Sequence, residues 1–278
     1  MGFHLLSLGA LLLLLTRVFE SQALPFDKNY NISWGNNNVK SLNKGEEIQL
    51  SLDKNSGCGI QSKQSYGSGS FKMRIKLPSK DSAGVVTTFY LHSHTSHHDE
   101  LDFEFLGNRE GKPHTLQTNV FANGVGDREQ RIQLWFDPTT NFHDYSILWN
   151  SHQIVFFVDE IPIRVYKNHR GIGYPSQPMQ SEATIWNGET WATENGKAKI
   201  NWSNSPFIAQ FQGFNIEGCS SNYNLNCNST KLWWNYEKFW KLNQDQEKSY
   251  QDIRSKNIIY DYCKDTNRFQ NIPLECLK

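Results

Sequence analysis

The chain has 278 residues, in which 28 lysines and arginines balance 28 aspartates and glutamates. Without net charge there is no overall field to attract nucleic acid or anionic lipid, so the sequence argues against both classes of partner. Aromatic residues are abundant, with 9 Trp, 11 Tyr and 17 Phe, and most of them must belong to a core.

Residues 1–23 have the pattern of a secretory signal peptide. An apolar run extends from Leu5 to Leu15, and Ser21 and Ala23 place small residues at positions −3 and −1 of a cleavage site before Leu24. The run is too short to span a bilayer, and no later segment reaches about 18 apolar residues. We therefore expect a secreted protein that has no membrane anchor and begins at Leu24.

The following residues carry repeated strand signals, from about residue 46 to residue 216. Residues 71–77 alternate four apolar with three basic positions, and residues 85–91 form a β-branched and aromatic run. Residues 154–158 and 161–166 flank Asp159 and Glu160, which predict a hairpin turn. Many short strands separated by Gly, Asn, Ser and Pro predict an all-β sandwich or jelly roll of two antiparallel sheets.

The most informative segment is residues 100–105, ELDFEF. In a strand, Glu100, Asp102 and Glu104 form a row of acids about 7 Å apart, while the apolar residues point into a core. A solvated outer face would also explain the alternation. Three like charges in a row favour chemistry instead, because glycosidic cleavage needs a proton-donating carboxyl beside an ionised one. Spacing alone does not choose the working pair.

Histidines just upstream of the acids offer a second interpretation. His92, His94 and His97 lie at spacings that could bind zinc, so a zinc hydrolase is an alternative. The segment lacks the aspartate of the usual H-x-H-x-D-H ligand set, because Ser96 occupies that position. The favoured prediction is therefore that the protein needs no metal and no organic cofactor.

The residue pattern changes in the last sixty residues, where strand signals give way to helical spacing and clustered cysteines. Aromatic residues at three- and four-residue spacing predict an amphipathic helix over about 231–248 that packs on the sandwich. Four cysteines in this region allow three disulfide pairings, and proximity favours Cys219–Cys227 and Cys263–Cys276. Cys58 is left as a buried thiol. Three N-x-[ST] sequons predict glycosylation at Asn31, Asn201 and Asn228.

Residues 98–108, HDELDFEFLGN, closely resemble the catalytic motif of plant xyloglucan endotransglucosylase/hydrolases, a branch of glycoside hydrolase family 16. The segments 117–121, 126–131 and 134–139 resemble the segments that follow in this family, in the same order. Residues 260–269 resemble its C-terminal extension. The resemblance covers essentially the whole chain after residue 23.

This resemblance implies a jelly roll with a glucan cleft across a concave sheet, over residues 24–216, and a disulfide-stapled extension with a helix over 217–278. It also implies a retaining mechanism with Glu100 as nucleophile, Glu104 as general acid and then base, and Asp102 as assisting carboxylate. The same resemblance gives the substrate-binding set His98, Gln117, Thr118, Asn119, Asp127, Arg128, Glu129, Trp191, Ala192, Gly196 and Arg268.

Two departures from the family pattern stand out. Asn108 is followed by Arg109 and Glu110, so the sequon that the family usually carries after the acid strand is absent. In the acceptor-side loop, Glu194 stands where the family often has arginine, which inverts a charge beside the acceptor site. We expect this change of charge to affect which acceptor the protein prefers.

The function implied is that of a secreted monomer of the cell wall or apoplast that cuts xyloglucan and joins the cut end to a xyloglucan or oligosaccharide acceptor, with cellulose as a further partner. A predominantly hydrolytic xyloglucanase, or a transglucosylase that uses cellulose or mixed-linkage glucan as donor, is the first alternative. A non-catalytic, lectin-like wall-binding module is the second. Only an enzyme has a use for three aligned acids.

Overall fold

The computed structural model describes residues 24–223 and 225–277, so the predicted signal peptide lies outside the described residues. The helices are α1 (Phe26–Asn29) and α2 (Gln244–Lys256). In chain order, the strands are β1 (Tyr30–Trp34), β2 (Val39–Leu42), β3 (Glu47–Leu52), β4 (Cys58–Ser62), β5 (Tyr66–Lys76), β6 (Val85–His92), β7 (Glu100–Leu106), β8 (Thr115–Phe121), β9 (Gln130–Gln133), β10 (His143–Trp149), β11 (Gln153–Val158), β12 (Ile161–Lys167), β13 (Gln180–Asn187), β14 (Phe207–Gln212), β15 (Ile216–Ser220) and β16 (Ile258–Asp261).

These strands form two antiparallel sheets, which confirms the predicted all-β sandwich. The first sheet has the order β1-β4-β13-β6-β7-β8-β9-β16. The second has the order β12-β11-β10-β5-β14-β3-β2, and β15 also pairs with β5. Within the described ranges, no helix is both long and apolar enough to cross a membrane.

Strand alternation places the core between the sheets. On β7, Leu101, Phe103 and Phe105 are at most 1% exposed, and the rings of Phe103 and Phe105 meet Tyr145 of the second sheet at 5.8 and 4.7 Å. The hairpin predicted at Asp159 joins β11 to β12. Asp159 and the residue after it both have positive φ, 48° and 66°, as a two-residue type I′ turn requires.

The predicted helix over 231–248 is wrong for residues 231–243, and α2 continues eight residues beyond the predicted end. Two short 3₁₀ turns, Trp233–Asn235 and Glu237–Phe239, precede α2. Trp233 and Trp234 are neighbours in sequence, and both pack into one apolar cluster with Leu148 of the second sheet. The predicted packing of this segment on the sandwich is therefore correct.

The start of α2 is fixed by a capping box. The Asn243 side chain accepts a hydrogen bond from the Gln246 backbone N–H at 2.9 Å, and the Gln246 side chain accepts one from Asn243 N–H at 3.1 Å. The helix buries Ile253 in the main core and packs along β12. The extension is thereby attached to the second sheet.

The cysteines are arranged as predicted. Disulfides join Cys219 to Cys227 and Cys263 to Cys276. Cys58 is a buried free thiol, and burial raises its pKa to about 11. The three sequon asparagines, Asn31, Asn201 and Asn228, are all exposed, and their glycosylation stays a prediction.

Candidate active site

The row of acids on β7 faces away from the core, and side chains of the flanking strands surround it. In the strand register, Glu100 lies opposite His92 of β6 and Phe121 of β8. Asp102 lies opposite Tyr90 and Asn119, and Glu104 opposite Thr88 and Gln117. Each acid therefore has a different pair of neighbours, which is how one strand can give its carboxyl groups different properties.

Glu104 has the properties of a proton donor. Desolvation by the surrounding strands raises its pKa from 4.5 to about 7, and the nearby charge of Glu100 acts in the same direction. A hydrogen bond of 2.6 Å from Gln117 Nε2 opposes this rise by stabilising the carboxylate. Arg131 Nε donates to Gln117 Oε1 at 2.8 Å, so the Gln117 amide presents its N–H group to Glu104. A carboxyl with this pKa still holds a proton in mildly acidic solution.

Asp102 lies between the two glutamates and is 5% exposed. Burial raises its pKa well above the usual range, as do the charges of Glu100 and Glu104 and a hydrogen bond to Glu100. The buried guanidinium of Arg164, on β12, acts in the opposite direction. A protonated Asp102 can donate that hydrogen bond to Glu100, whose side chain is 23% exposed.

An open groove of about 630 Å³ lies over the acids. Besides the three acids, it is lined by five of the residues expected to bind substrate: Gln117, Asn119, Glu129, Trp191 and Arg268. Five further lining residues were not predicted: Phe121, Arg131, Asn195, Tyr260 and Asp265. Phe121 could have been found, because strand alternation on β8 puts it on the same face as Gln117 and Asn119.

The C-terminal extension closes one side of the groove. Strand β16 pairs with β9 and so continues the first sheet, which brings Tyr260 beside Arg131 at 5.4 Å. Arg268 crosses back to the catalytic domain, where it forms ion pairs with Asp127 at 2.5 Å and Glu129 at 2.6 Å. We call this arrangement the arginine clamp. Its ion pair holds Asp127 beside the groove, although Asp127 does not line the groove.

Other members of the expected binding set lie behind the groove surface. Thr118 is fully buried, and its carbonyl and hydroxyl oxygens accept hydrogen bonds from Arg164 at 2.7 and 3.0 Å. Arg128 turns towards Glu275, with Nε 2.6 Å from Oε1. Ala192 is buried beside the Trp191 segment. These side chains support the groove and do not line it.

Two more members of the set lie beside the acids and in the loop that follows Trp191. His98 Nε2 lies 3.3 Å from Glu100 Oε2, next to the carboxylate expected to act as nucleophile. Gly196 has φ +80°, and a Cβ there would lie 2.0 Å from the Thr190 carbonyl oxygen, so only glycine fits. Glu194 and Asn195 before it also have positive φ, which makes this loop a tight left-handed turn.

Two groups of side chains that could bind a metal ion lie near the Glu100 end of the acid row. One contains His92, His98 and Glu100, and the second contains His92, His94 and Glu182. His97, the third histidine of the zinc alternative, belongs to neither group.

Comparison with known proteins gives a consistent result along the chain. Residues 26–204 match the family model of glycosyl hydrolases family 16, and residues 228–276 match that of the xyloglucan endo-transglycosylase (XET) C-terminus. Xyloglucan endotransglucosylase/hydrolase protein 2 of Arabidopsis thaliana is 55% identical over 261 residues, which cover 91% of this chain and 89% of the relative. The xyloglucan endotransglucosylase/hydrolase of Brassica oleracea var. botrytis is 51% identical over 258 residues, which cover 91% and 88%.

Solved structures share the fold. The Bacillus licheniformis beta-glucanase aligns with a TM-score of 0.55 at 24% identity, over 66% of this chain and 89% of that chain. The apo Crh5 transglycosylase aligns with a TM-score of 0.56 at 21% identity, over 68% and 78%.

Proposed function

The chain belongs to the xyloglucan endotransglucosylase/hydrolases of glycosyl hydrolase family 16, and on that premise we propose that it remodels cell-wall xyloglucan by cutting the β-1,4-glucan backbone and joining the cut end to a second glucan chain. The observation that supports this most strongly is the pairing, on one strand in an open groove, of a carboxyl with a pKa near 7 and a second, partly exposed carboxyl. We propose residues 24–216 as the catalytic domain and 217–278 as its extension.

The proposed chemistry is a double displacement. Glu104 donates its proton to the oxygen that leaves, while a Glu100 carboxylate oxygen attacks the anomeric carbon and forms a covalent glycosyl-enzyme. Asp102 donates a hydrogen bond to Glu100 and orients it. The now ionised Glu104 then takes a proton from the incoming hydroxyl group, whose oxygen displaces Glu100 from the anomeric carbon.

The identity of the second nucleophile decides between transfer and hydrolysis. A sugar hydroxyl held on the side of Trp191 and Arg268 gives transfer, and water gives hydrolysis. We propose that transfer dominates, since the arginine clamp and Trp191 give an acceptor chain a defined wall to bind against. We further propose that the protein acts as a secreted monomer in the cell wall, with xyloglucan as donor, xyloglucan or its oligosaccharides as acceptor, and cellulose as a secondary partner.

The test is size-exclusion chromatography of xyloglucan incubated with the protein and a fluorescent xyloglucan oligosaccharide. Movement of label into high-mass polymer supports transfer. A fall in polymer mass without label transfer would replace transfer by hydrolysis. Unchanged polymer and label would remove xyloglucan as the donor, after which cellulose and mixed-linkage glucan are the donors to assay.

Glu100→Gln tests the residue roles. It removes the nucleophile but keeps the shape of the side chain, so we expect turnover to fall by roughly 10⁴-fold or more while xyloglucan binding persists. Glu110→Gln, in the exposed loop after β7, is the matched control for removing one carboxylate. Turnover by Glu100→Gln equal to that of the control would refute the assignment of Glu100.

A further inference from the structure

A continuous row of imidazoles and carboxylates extends from the proposed nucleophile across the first sheet. His98 lies beside Glu100, and His92 Nε2 lies 3.8 Å from the same Glu100 oxygen. The other ring nitrogen of His92, Nδ1, lies 3.8 Å from Glu182 Oε1, and His94 Nε2 lies 2.5 Å from that oxygen. The mechanism uses the Glu100 end of this row and leaves the Glu182 end without a role.

Glu182 is unusual because it is a charged residue at a buried position of a β-strand. It lies opposite Tyr90 in the β13–β6 register and is only 5% exposed. The Tyr90 hydroxyl group donates to Glu182 Oε2 at 2.8 Å. Oε1 is buried and has no aligned hydrogen bond among the described residues, although His94 Nε2 is close to it. A buried carboxylate oxygen without a hydrogen bond is costly unless a cation completes its environment.

The two imidazoles reach this oxygen from different directions. His92 is the last residue of β6 and lies on the same face as Tyr90, diagonal to Glu182. His94 follows in the loop with φ +51°, a left-handed conformation that histidine adopts only occasionally. The two rings meet edge-on, with centroids 4.3 Å apart.

The loop that carries His94 is fixed at both ends. The Ser93 N–H group donates to the Asp99 carbonyl oxygen at 3.1 Å, and Asp99 N–H donates to the Ser93 hydroxyl group at 2.9 Å. The Asp99 carboxylate accepts backbone hydrogen bonds from Asn123, Ser176 and Gln177 at 2.6 to 2.8 Å. Such anchoring is what a preorganised ligand set requires.

We propose that His92 Nδ1, His94 Nε2 and Glu182 Oε1 bind a divalent transition metal ion, with zinc as the representative of the class. Two imidazoles and one carboxylate are a common donor set for zinc. Bond lengths of about 2.0–2.1 Å in a tetrahedral site place ligand atoms about 3.3 Å apart. Binding therefore requires His94 Nε2 to move away from Glu182 Oε1, which it contacts directly at 2.5 Å, and His92 Nδ1 to approach that oxygen from 3.8 Å. The His94 side chain is 45% exposed, which leaves a path for the ion and a position for water.

The surroundings complete the site. The Tyr90 hydroxyl group holds the second oxygen of Glu182 as an outer-shell partner. With Nδ1 bound to the metal, the proton of His92 lies on Nε2, on the side of Glu100. A divalent ion with one carboxylate ligand and two neutral imidazoles leaves one net positive charge, which Glu100 balances. This site differs from the expectation of a metal-free protein and does not depend on the proposed reaction.

The overlapping group of His92, His98 and Glu100 is the weaker choice. It would occupy Glu100, which is partly exposed in the groove and already has His98 3.3 Å away. Both groups use His92, but through different ring nitrogens. Substitutions of His94 or Glu182 therefore test one group, and a substitution of His98 tests the other.

The experiment measures zinc binding by the secreted chain, prepared without a histidine tag and stripped with chelator, in competition with a chromogenic chelator. We expect one equivalent to bind, and expect both His94→Ala and Glu182→Gln to weaken binding by more than about 10-fold, the lower end of the loss caused by removing even an outer-shell partner. Because His94 is exposed, its replacement leaves the fold intact even where that of Glu182 does not. Cobalt substitution should give the visible absorption of a four-coordinate ion in the wild type and not in His94→Ala.

Two histidine variants serve as controls. His97→Ala removes an exposed imidazole from the same loop and should leave zinc affinity unchanged, as should His98→Ala. The proposal is refuted by absence of binding in the wild type, or by undiminished binding in His94→Ala. It is equally refuted if His98→Ala abolishes binding, which would place the ion at Glu100, or if His97→Ala weakens it as much as His94→Ala, which would indicate nonspecific surface binding.

Discussion

Replacement of Glu104 by glutamine should change the pH dependence of stability in a defined direction. In the native protein the pKa of Glu104 is raised from 4.5 to about 7, so between these pH values the folded chain holds a proton that the unfolded chain has lost. Stability therefore falls as pH rises through this window, because the native state binds more protons than the unfolded state. Glutamine removes this dependence, because it does not titrate.

The magnitude follows from the pKa. At about 1.36 kcal/mol per pH unit, a rise from 4.5 to about 7 costs about 3 kcal/mol of stability above pH 7 and nothing below pH 4. The free energy of unfolding of Glu104→Gln, relative to that of the wild type, should therefore be about 3 kcal/mol larger at pH 8 than at pH 4, so the variant is relatively more stable at pH 8. The Gln117 hydrogen bond to the ionised carboxylate already contributes to this pKa, which it lowers, so it adds no separate contribution to the difference.

The assay is equilibrium urea unfolding followed by tryptophan fluorescence at several pH values between 4 and 8. Glu110→Gln is the control for removing a carboxylate from an exposed loop. A Glu104→Gln effect that is the same at every pH, or that grows towards acid, would refute the account of Glu104 as a carboxyl protonated by its surroundings. A cavity or a packing change gives a constant offset, so the pH dependence separates these causes.

Three further outcomes follow from the groove and its supports. Since Glu104, as the proposed general acid, must enter the reaction protonated, kcat/KM should fall above a pH near 7. This decrease should vanish for a donor whose leaving group needs no proton. Arg268→Ala should raise KM a few-fold and change kcat less, because an ion pair of this kind is worth about 1 kcal/mol. Lys264→Ala, which removes an exposed cation of the same segment, is the control. Equal effects from the two variants would contradict the role of the clamp. Arg164→Met should lower the free energy of unfolding by about 3 kcal/mol, since it leaves the Thr118 and Arg128 carbonyl oxygens without their buried donor. Denaturant unfolding at pH 7 measures this change. A loss of activity at unchanged stability would overturn the prediction.

Much of the fold could be predicted because strand alternation is a local property. The period of two on β5 and β7 separates core from surface positions without knowledge of strand partners. The helix start could not be placed from aromatic spacing, because Leu232 and Phe239 enter one apolar cluster through two 3₁₀ turns, whereas Tyr236 between them is exposed. The Asn243 and Gln246 capping box was the better signal in that segment.

The groove was predicted in part for a related reason. The acids and Gln117 are found from local alternation and family resemblance. Tyr260 and Arg131, in contrast, become neighbours only because β16 pairs with β9 across more than one hundred residues of chain. Glu182 escaped notice because its partners belong to β6 and the loop after it, and strand order is not visible in a single sequence.

The position of β16 has a consequence for biosynthesis. A ribosome makes the chain from its N-terminus, so the acid strand and its neighbours are complete while the last strand of the same sheet is still inside the translation machinery. Until Ile258–Asp261 emerges and pairs, β9 is an unpaired edge, and the wall that Tyr260 and Arg268 contribute is missing. A nascent chain thus carries the acid strand before the groove has the wall formed by Tyr260 and Arg268, and on the proposed function it can hold an acceptor there only after β16 has paired.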